Sequence, residues 1–480
     1  MRTYPWVTGC GTIAGTVTNE GETVRMATTS TEVPGPAGTP LLGSMLDLKQ
    51  DSLGTFLRSR SEHGDVVRFT AGPPGLRAVV YGVFSAAGAQ QVLATESANF
   101  RKDNAFYQEI RESFGNGLLT SQDEDYLRQR RLVQPLFTRR RVDGYADAVA
   151  VEVAAVLASW RDSGRTSVDV LDEMTVLALR AVARILFGTD VAEAVEVVER
   201  CFPALGDYVL RRGYSPVKLP RNWPTPGNRR AAAVHEELYA VCDRIIAERR
   251  ASGTDPGAQD LLTLLAEAES AEDGSFDASE LREQVLVFLL AGHETTATSL
   301  AFALHLLGRH PEEQKRAQEE VDRVLAGRTP TAADLETLPY LTQVLKEAMR
   351  LFPAAPVIGR RAVESTVIDG HTIPAGADVI VAPWVTHRHP DHWPDPERFD
   401  PDRFTPEAEA DRPRYAWFPF GGGPRACIGQ HFSMLESVIA LAMILQEYGF
   451  EAIDTEVPLS SAITLRAEGP ARCTLIPRSS

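Results

Sequence analysis

Residues 420–429 read Phe-Gly-Gly-Gly-Pro-Arg-Ala-Cys-Ile-Gly. Three successive glycines let the backbone approach whatever Cys427 binds and let amide N–H groups turn toward its sulfur. A helix starting near Ile428 sets its positive end beside that sulfur, which favours thiolate over thiol. A thiolate held this way can act as a nucleophile, a metal ligand or an axial haem ligand. A buried structural cysteine would need no glycine triplet. A second constellation, Gly292-His293-Glu294-Thr295-Thr296, follows the apolar run Val285–Gly292. A threonine in a buried helix ordinarily bonds back to the carbonyl four residues earlier, a reading that suits Thr296. An acid and a hydroxyl together in an apolar helix need partners, because buried polar groups are costly without them. Glu347 and Arg350 share a helix face, as an ion pair worth a few tenths of a kcal/mol if exposed. Six arginines and no acid lie between Arg128 and Arg141. Such a run is either a solvated face or a docking patch for an acidic partner.

Helices must position most of these groups. The spacing predicts one from about Asp277, capped by that residue with Glu280 closing a capping box, to about Arg309 before Pro311. About 33 residues at 1.5 Å each give roughly 50 Å. Its middle is apolar on all sides, so it is expected to be buried. Helical periodicity recurs over Val149–Trp160, Val168–Phe187, Ala231–Arg250 and about 430–448. A loop rich in Pro and Gly, about 214–229, interrupts it. Short strands are predicted near 65–69, 78–80 and 366–370. The result is a mainly α domain with a minor β-sheet region, spanning 34–480. It is preceded by a disordered N-terminal extension over residues 1–33, rich in Thr, Gly and Ser.

The 480 residues carry 49 Lys and Arg against 65 Asp and Glu, and 49 − 65 gives −16. That balance argues against nucleic-acid binding, which needs a basic face. Five scattered cysteines fit a reducing, cytoplasmic compartment and no disulfide scaffold. No run of 18 consecutive apolar residues and no secretory signal suggests a membrane anchor.

The pattern Phe-x-x-Gly-x-Arg-x-Cys-x-Gly resembles the haem-ligand loop of the cytochrome P450 family, and Ala291-Gly292-His293-Glu294-Thr295 resembles its oxygen-activation motif. Glu347 and Arg350, with Arg398 of Pro396-Glu397-Arg398-Phe399, resemble its buried structural network. The resemblance covers about residues 34–478 and implies the family's triangular-prism fold, with the long helix over haem b. By it, Cys427 is the axial ligand, and Phe420, Gly421, Gly429 and Ala291 pack against the macrocycle. Arg425, Arg360 and Arg130 meet the propionates. Tyr126 stands where the family usually has Trp and would serve as a hydrogen-bond donor to a propionate. Thr295 would hydrogen-bond O2, the co-substrate, while Glu294 feeds protons. Leu118, Val357, Ile358 and Ile463 would line a pocket for an apolar small-to-medium substrate, a terpenoid or other secondary metabolite. Electrons would come from NAD(P)H through a separate ferredoxin or flavodoxin and its reductase, docking at Arg128–Arg141, and the enzyme would be a monomer. A haem-thiolate sensor without monooxygenase turnover would need Cys427 but not the Glu294–Thr295 pair. A cysteine hydrolase would need a base such as His431 beside Cys427.

Overall fold

The computed structural model describes residues 32–478 apart from 76, 188–191, 214, 216–217 and 252–275. The expected extension over residues 1–33 therefore lies outside the described residues except for Glu32 and Val33. The same holds for Tyr214, Pro216 and Val217 of the Pro-rich loop.

The predicted long helix is Ala278–Arg309. Asp277 caps it, one carboxylate oxygen accepting from the amides of Ser279 and Glu280 at 2.8 Å each. The Glu280 carboxylate accepts in return from the Asp277 amide at 3.1 Å, closing the capping box. By length and composition this helix could cross a membrane, but 78% of its apolar window is buried inside the fold. Its burial is interrupted at Ala291, Gly292, Glu294 and Thr295. A Cβ on Gly292 would lie 2.8 Å from a Val182 methyl, so glycine is what lets the helix Val170–Phe187 pack this closely. Ala146–Ser163, Ala192–Gly213, Pro226–Ala251, Pro339–Leu351 and Gln430–Glu447 complete the main helical body.

The largest sheet has the strand order Val66–Ala71, Ala78–Val83, Asp378–Val381, Ile358–Ala362, Phe100–Arg101. Ile358–Ala362 runs antiparallel to Asp378–Val381, with Arg360 opposite Val379. The alternation of a strand turns Arg360 inward and Arg361 outward. A hairpin, Leu459–Ser461 with Leu465–Ala467, and a three-stranded sheet ending in Arg472–Pro477 close the chain. The mainly α architecture with a minor sheet is the one expected from the periodicity.

Candidate active site

The cysteine loop folds back on itself. The Cys427 amide donates to the Phe420 carbonyl at 2.9 Å, and Gly421 and Gly423 take φ of 69° and 64°. A Cβ on Gly423 would sit 1.9 Å from the Leu93 carbonyl oxygen, which no side chain could tolerate. The following helix begins at Gln430 with no side chain capping it, and the Gly429 amide bonds the Cys427 sulfur. The thiol is surrounded by protein yet stays open on one side. Burial pushes its pKa up, against the pull of the Gly429 amide, Arg130 and Lys102. His431 points to Asp143, its Nε2 2.9 Å from a carboxylate oxygen, so it is not poised as a base for Cys427.

Around this sulfur the fold gathers cations without acids. Arg360 is 3% exposed and donates to the Gly359 carbonyl. The Arg425 guanidinium stacks 3.5 Å over the Tyr126 ring and donates to the Ser121 carbonyl at 2.6 Å. Burial, then repulsion from Arg360, pushes Arg425 down to about 10. Lys102 donates to the Leu119 carbonyl at 3.1 Å, and burial with Arg425 and Arg360 nearby pushes it well below the ordinary lysine value. Arg130 donates to the Tyr126 hydroxyl at 2.8 Å, and that hydroxyl donates to the Pro424 carbonyl at 2.7 Å. Thus Tyr126 supports the loop backbone through its hydroxyl. Among the described residues none of these four cations forms an ion pair with an acid, and no three His, Cys, Asp or Glu gather as a metal site. A metal here must bring most of its own ligands, and its carrier must bring negative charge. An iron porphyrin would fit that donor set, its two carboxylates met by the cations and its iron by the Cys427 sulfur. Lys102 was not legible in the sequence: it stands between Arg101 and Asp103 like any solvated residue, and only the fold brings it to Arg360 and Arg425.

On the central helix, Ala291 and Thr295 are one turn apart and both reach open space. The Thr295 hydroxyl donates to the Ala291 carbonyl at 2.9 Å. Thr296, expected to bond back to Gly292, is instead 3.1 Å from the Ser433 hydroxyl, because Ser433 of the cysteine-loop helix lies opposite it. Burial pushes the Glu294 carboxyl up, opposed by a hydrogen bond from Thr464 and by Arg466. His293 is buried and pushed down to about 4, its ring 5.6 Å from Phe202. Val357, Ile358 and Ile463 are half-buried, whereas Leu118 is 8% exposed and belongs to the main core.

The structural network requires one correction. Arg350 and Glu347 are both fully buried and paired at 2.6 and 2.8 Å. Arg398, expected as the third member, has an exposed side chain and contributes only its carbonyl to Arg350, at 3.2 Å. The third arginine is Arg403, whose Nε lies 3.5 Å from Glu347.

A fold of this kind with a cysteine loop beneath a long buried helix defines a haem-thiolate protein. The Cytochrome P450 family model matches residues 33–471, and the chain belongs to that family. It is 38% identical over 86% of its length to cyclooctat-9-en-7-ol 5-monooxygenase of Streptomyces melanosporofaciens, covering 88% of that protein. Cyclooctatin synthase of the same organism is 37% identical over 92% of this chain and 95% of its own. Pentalenene oxygenase of Streptomyces avermitilis is 34% identical over 86% and 90%. The crystal structure of the cytochrome P450DA heme domain superposes with a TM-score of 0.82 at 27% identity, over 93% of this chain and 98% of that one. The protein is a cytochrome P450 monooxygenase that uses haem and O2, takes electrons from a redox partner and acts on apolar substrates.

Proposed function

We propose that this enzyme hydroxylates a terpenoid of secondary metabolism in the cytoplasm, as a monomer with one catalytic domain from residue 34 onward. The reaction balances as RH + O2 + two electrons + two protons giving ROH + H2O. Bound haem b supplies the activation of O2. Cys427 is its thiolate ligand, and Arg425, Arg360, Arg130 and Lys102 hold its carboxylates. Phe420, Gly421 and Gly429 shape the loop beneath it. Glu294 and Thr295 hold and hand on protons where the central helix opens. Val357, Ile358 and Ile463 orient an apolar substrate and keep water from it. The observation that carries the reading is the pair Glu294–Thr295, which lies where burial lapses in the middle of a largely buried helix. A sensor without turnover has no need of that acid. The terpenoid class is supported by the relatives named for cyclooctat-9-en-7-ol, cyclooctatin and pentalenene.

NAD(P)H electrons arrive through a ferredoxin or flavodoxin. Within the basic stretch Arg128 pairs with Glu280, Arg130 turns inward, and the exposed Arg139 pairs with Glu336 at 2.5 Å, so the exposed Arg131 and Arg140 are the cations offered first to an acidic donor. Incubation with cyclooctat-9-en-7-ol and a panel of cyclic terpenes, under 18O2 with a surrogate ferredoxin system, tests the assignment. A spin-state shift and a product carrying one labelled oxygen are expected. A reduced, CO-bound spectrum unchanged in Cys427→Ala, or no labelled product from any terpene, refutes it.

A further inference from the structure

Each turnover consumes two protons from solvent, yet the apolar substrate pocket must exclude bulk water. A second route to Glu294 is visible away from that pocket. A cavity of about 460 Å³ lies where the central helix, the start of the helix Val170–Phe187 and the closing hairpin meet. Glu294, Thr298, Arg466 and the exposed Asp172 are among the residues that line it. Glu294 precedes Thr295 by one residue, about 100° round the helix, so its carboxyl reaches the hairpin and is bonded by Thr464. Arg466 is anchored from the far side by Asp207, 2.8 Å away on the helix Ala192–Gly213. Asp172 has no ion-pair partner among the described residues and is free to exchange protons with bulk water.

We propose that this cavity is a water-filled proton inlet serving Glu294, with Asp172 as its entry acid and Arg466 as the positioning residue that keeps the Glu294 carboxyl at its inner end. A proton taken up by Asp172 passes along water to Glu294, which gives its own proton toward Thr295 and is refilled from the cavity. No electron moves in this step, and one proton enters for each one delivered. The inlet rests on the monooxygenase reading and adds to it the direction from which the protons come.

The holoenzyme tests this with Asp172→Asn, which removes the entry acid, and Ala467→Phe, which fills the cavity from its wall. General acid–base groups contribute about 10²–10⁴-fold, and an entry acid acting through water should contribute less, roughly tenfold. With cyclooctat-9-en-7-ol as the probe, each variant should release several-fold more peroxide per NAD(P)H and show a larger solvent deuterium isotope effect, with the substrate-free spectrum unchanged. A readout independent of turnover is infrared exchange of the Glu294 carboxyl in D2O, its band identified by loss in Glu294→Gln. Exchange should slow roughly tenfold in Ala467→Phe. Unchanged coupling and unchanged carboxyl exchange in both variants overturn the inlet. Loss of O2-dependent NAD(P)H consumption by the wild type would instead overturn the monooxygenase reading, while the carboxyl exchange still decides the inlet.

Discussion

Replacing Arg403 and Arg398 separately distinguishes the buried network seen here from the one the motif suggests. Arg350 has five N–H donors. Its Nε and one Nη2 donor pair with Glu347, and the others reach the carbonyls of His387 at 3.0 Å, Pro396 at 2.7 Å and Arg398 at 3.2 Å. Glu347 also accepts from the Asp400 amide at 2.9 Å. Arg403, its side chain 10% exposed, adds a second cation 3.5 Å from the same carboxylate. At an effective dielectric near 20 that attraction is about 5 kcal/mol before the cost of burying the guanidinium is subtracted. The net loss in Arg403→Ala should therefore be about 2–3 kcal/mol. Arg398→Ala leaves the carbonyl it contributes in place and removes an exposed side chain, so it should stay within about 0.5 kcal/mol. Urea unfolding of the holoenzyme, followed by tryptophan fluorescence and haem release, measures both. Equal destabilisation by the two variants, or a larger loss in Arg398→Ala, refutes the assignment of Arg403.

His293 ordinarily titrates near 6.5 but is pushed down to about 4 by burial. The unfolded chain thus takes up its proton first, and stability is lost as pH falls from 6.5 to 4. His293→Leu should reduce that loss by about 3 kcal/mol in unfolding measured across the window. Glu109, 4% exposed, is bonded by Arg212, Lys218 and Arg221. Burial pushes its carboxyl up, but those three partners outweigh burial and hold it below the ordinary value. Its contribution is therefore complete above the ordinary carboxylate range and fades as pH falls below it. Glu109→Gln should cost about 2–4 kcal/mol and speed tryptic cleavage at Arg221 in the neutral range. Lys102→Met should raise the stability of the haem-free chain by relieving a buried cation, while shortening haem retention in transfer to apomyoglobin. Longer retention would show that Lys102 opposes the cofactor.

What the sequence discloses depends on whether the deciding force is local. The central helix is legible because its cap, its capping-box partner and its terminating proline are all neighbours in the chain. The cysteine loop is legible for the same reason, since positive φ at Gly421 and Gly423 is a backbone demand that glycine advertises. The third network arginine is not legible. Residues 395–399 and 400–404 read Asp-Pro-Glu-Arg-Phe and Asp-Pro-Asp-Arg-Phe, two nearly equivalent candidates five residues apart. Only burial tells them apart, leaving Arg398 in solvent and turning Arg403 to Glu347. Thr295 and Thr296 pose the same problem, since either can bond back along the helix. The long-range position of Ser433 decides that it is Thr295 that does.

The helix Ala192–Gly213 joins the two halves of the site through ion pairs at its C-terminal end. Arg212 binds Glu109 of the helix Ala105–Phe114 at 2.8 Å, and Asp207 binds Arg466 of the hairpin beside Glu294. The first of these partners is itself anchored to the cation cluster. Asn104 caps the Ala105–Phe114 helix by accepting from the Tyr107 amide at 2.9 Å, and a Cβ on Gly359 would meet its amide nitrogen at 2.4 Å. Glycine before Arg360 therefore lets that helix seat directly on the strand that carries a carboxylate-binding arginine. A displacement of Ala192–Gly213 would strain the Glu109 and Arg466 contacts together. The Glu109 helix and the hairpin beside Glu294 are in this way connected through one element. Ion pairs that are partly exposed are worth little as stabilisers. Their value here is geometric, because they hold one helix in register with both the cofactor cradle and the proton inlet.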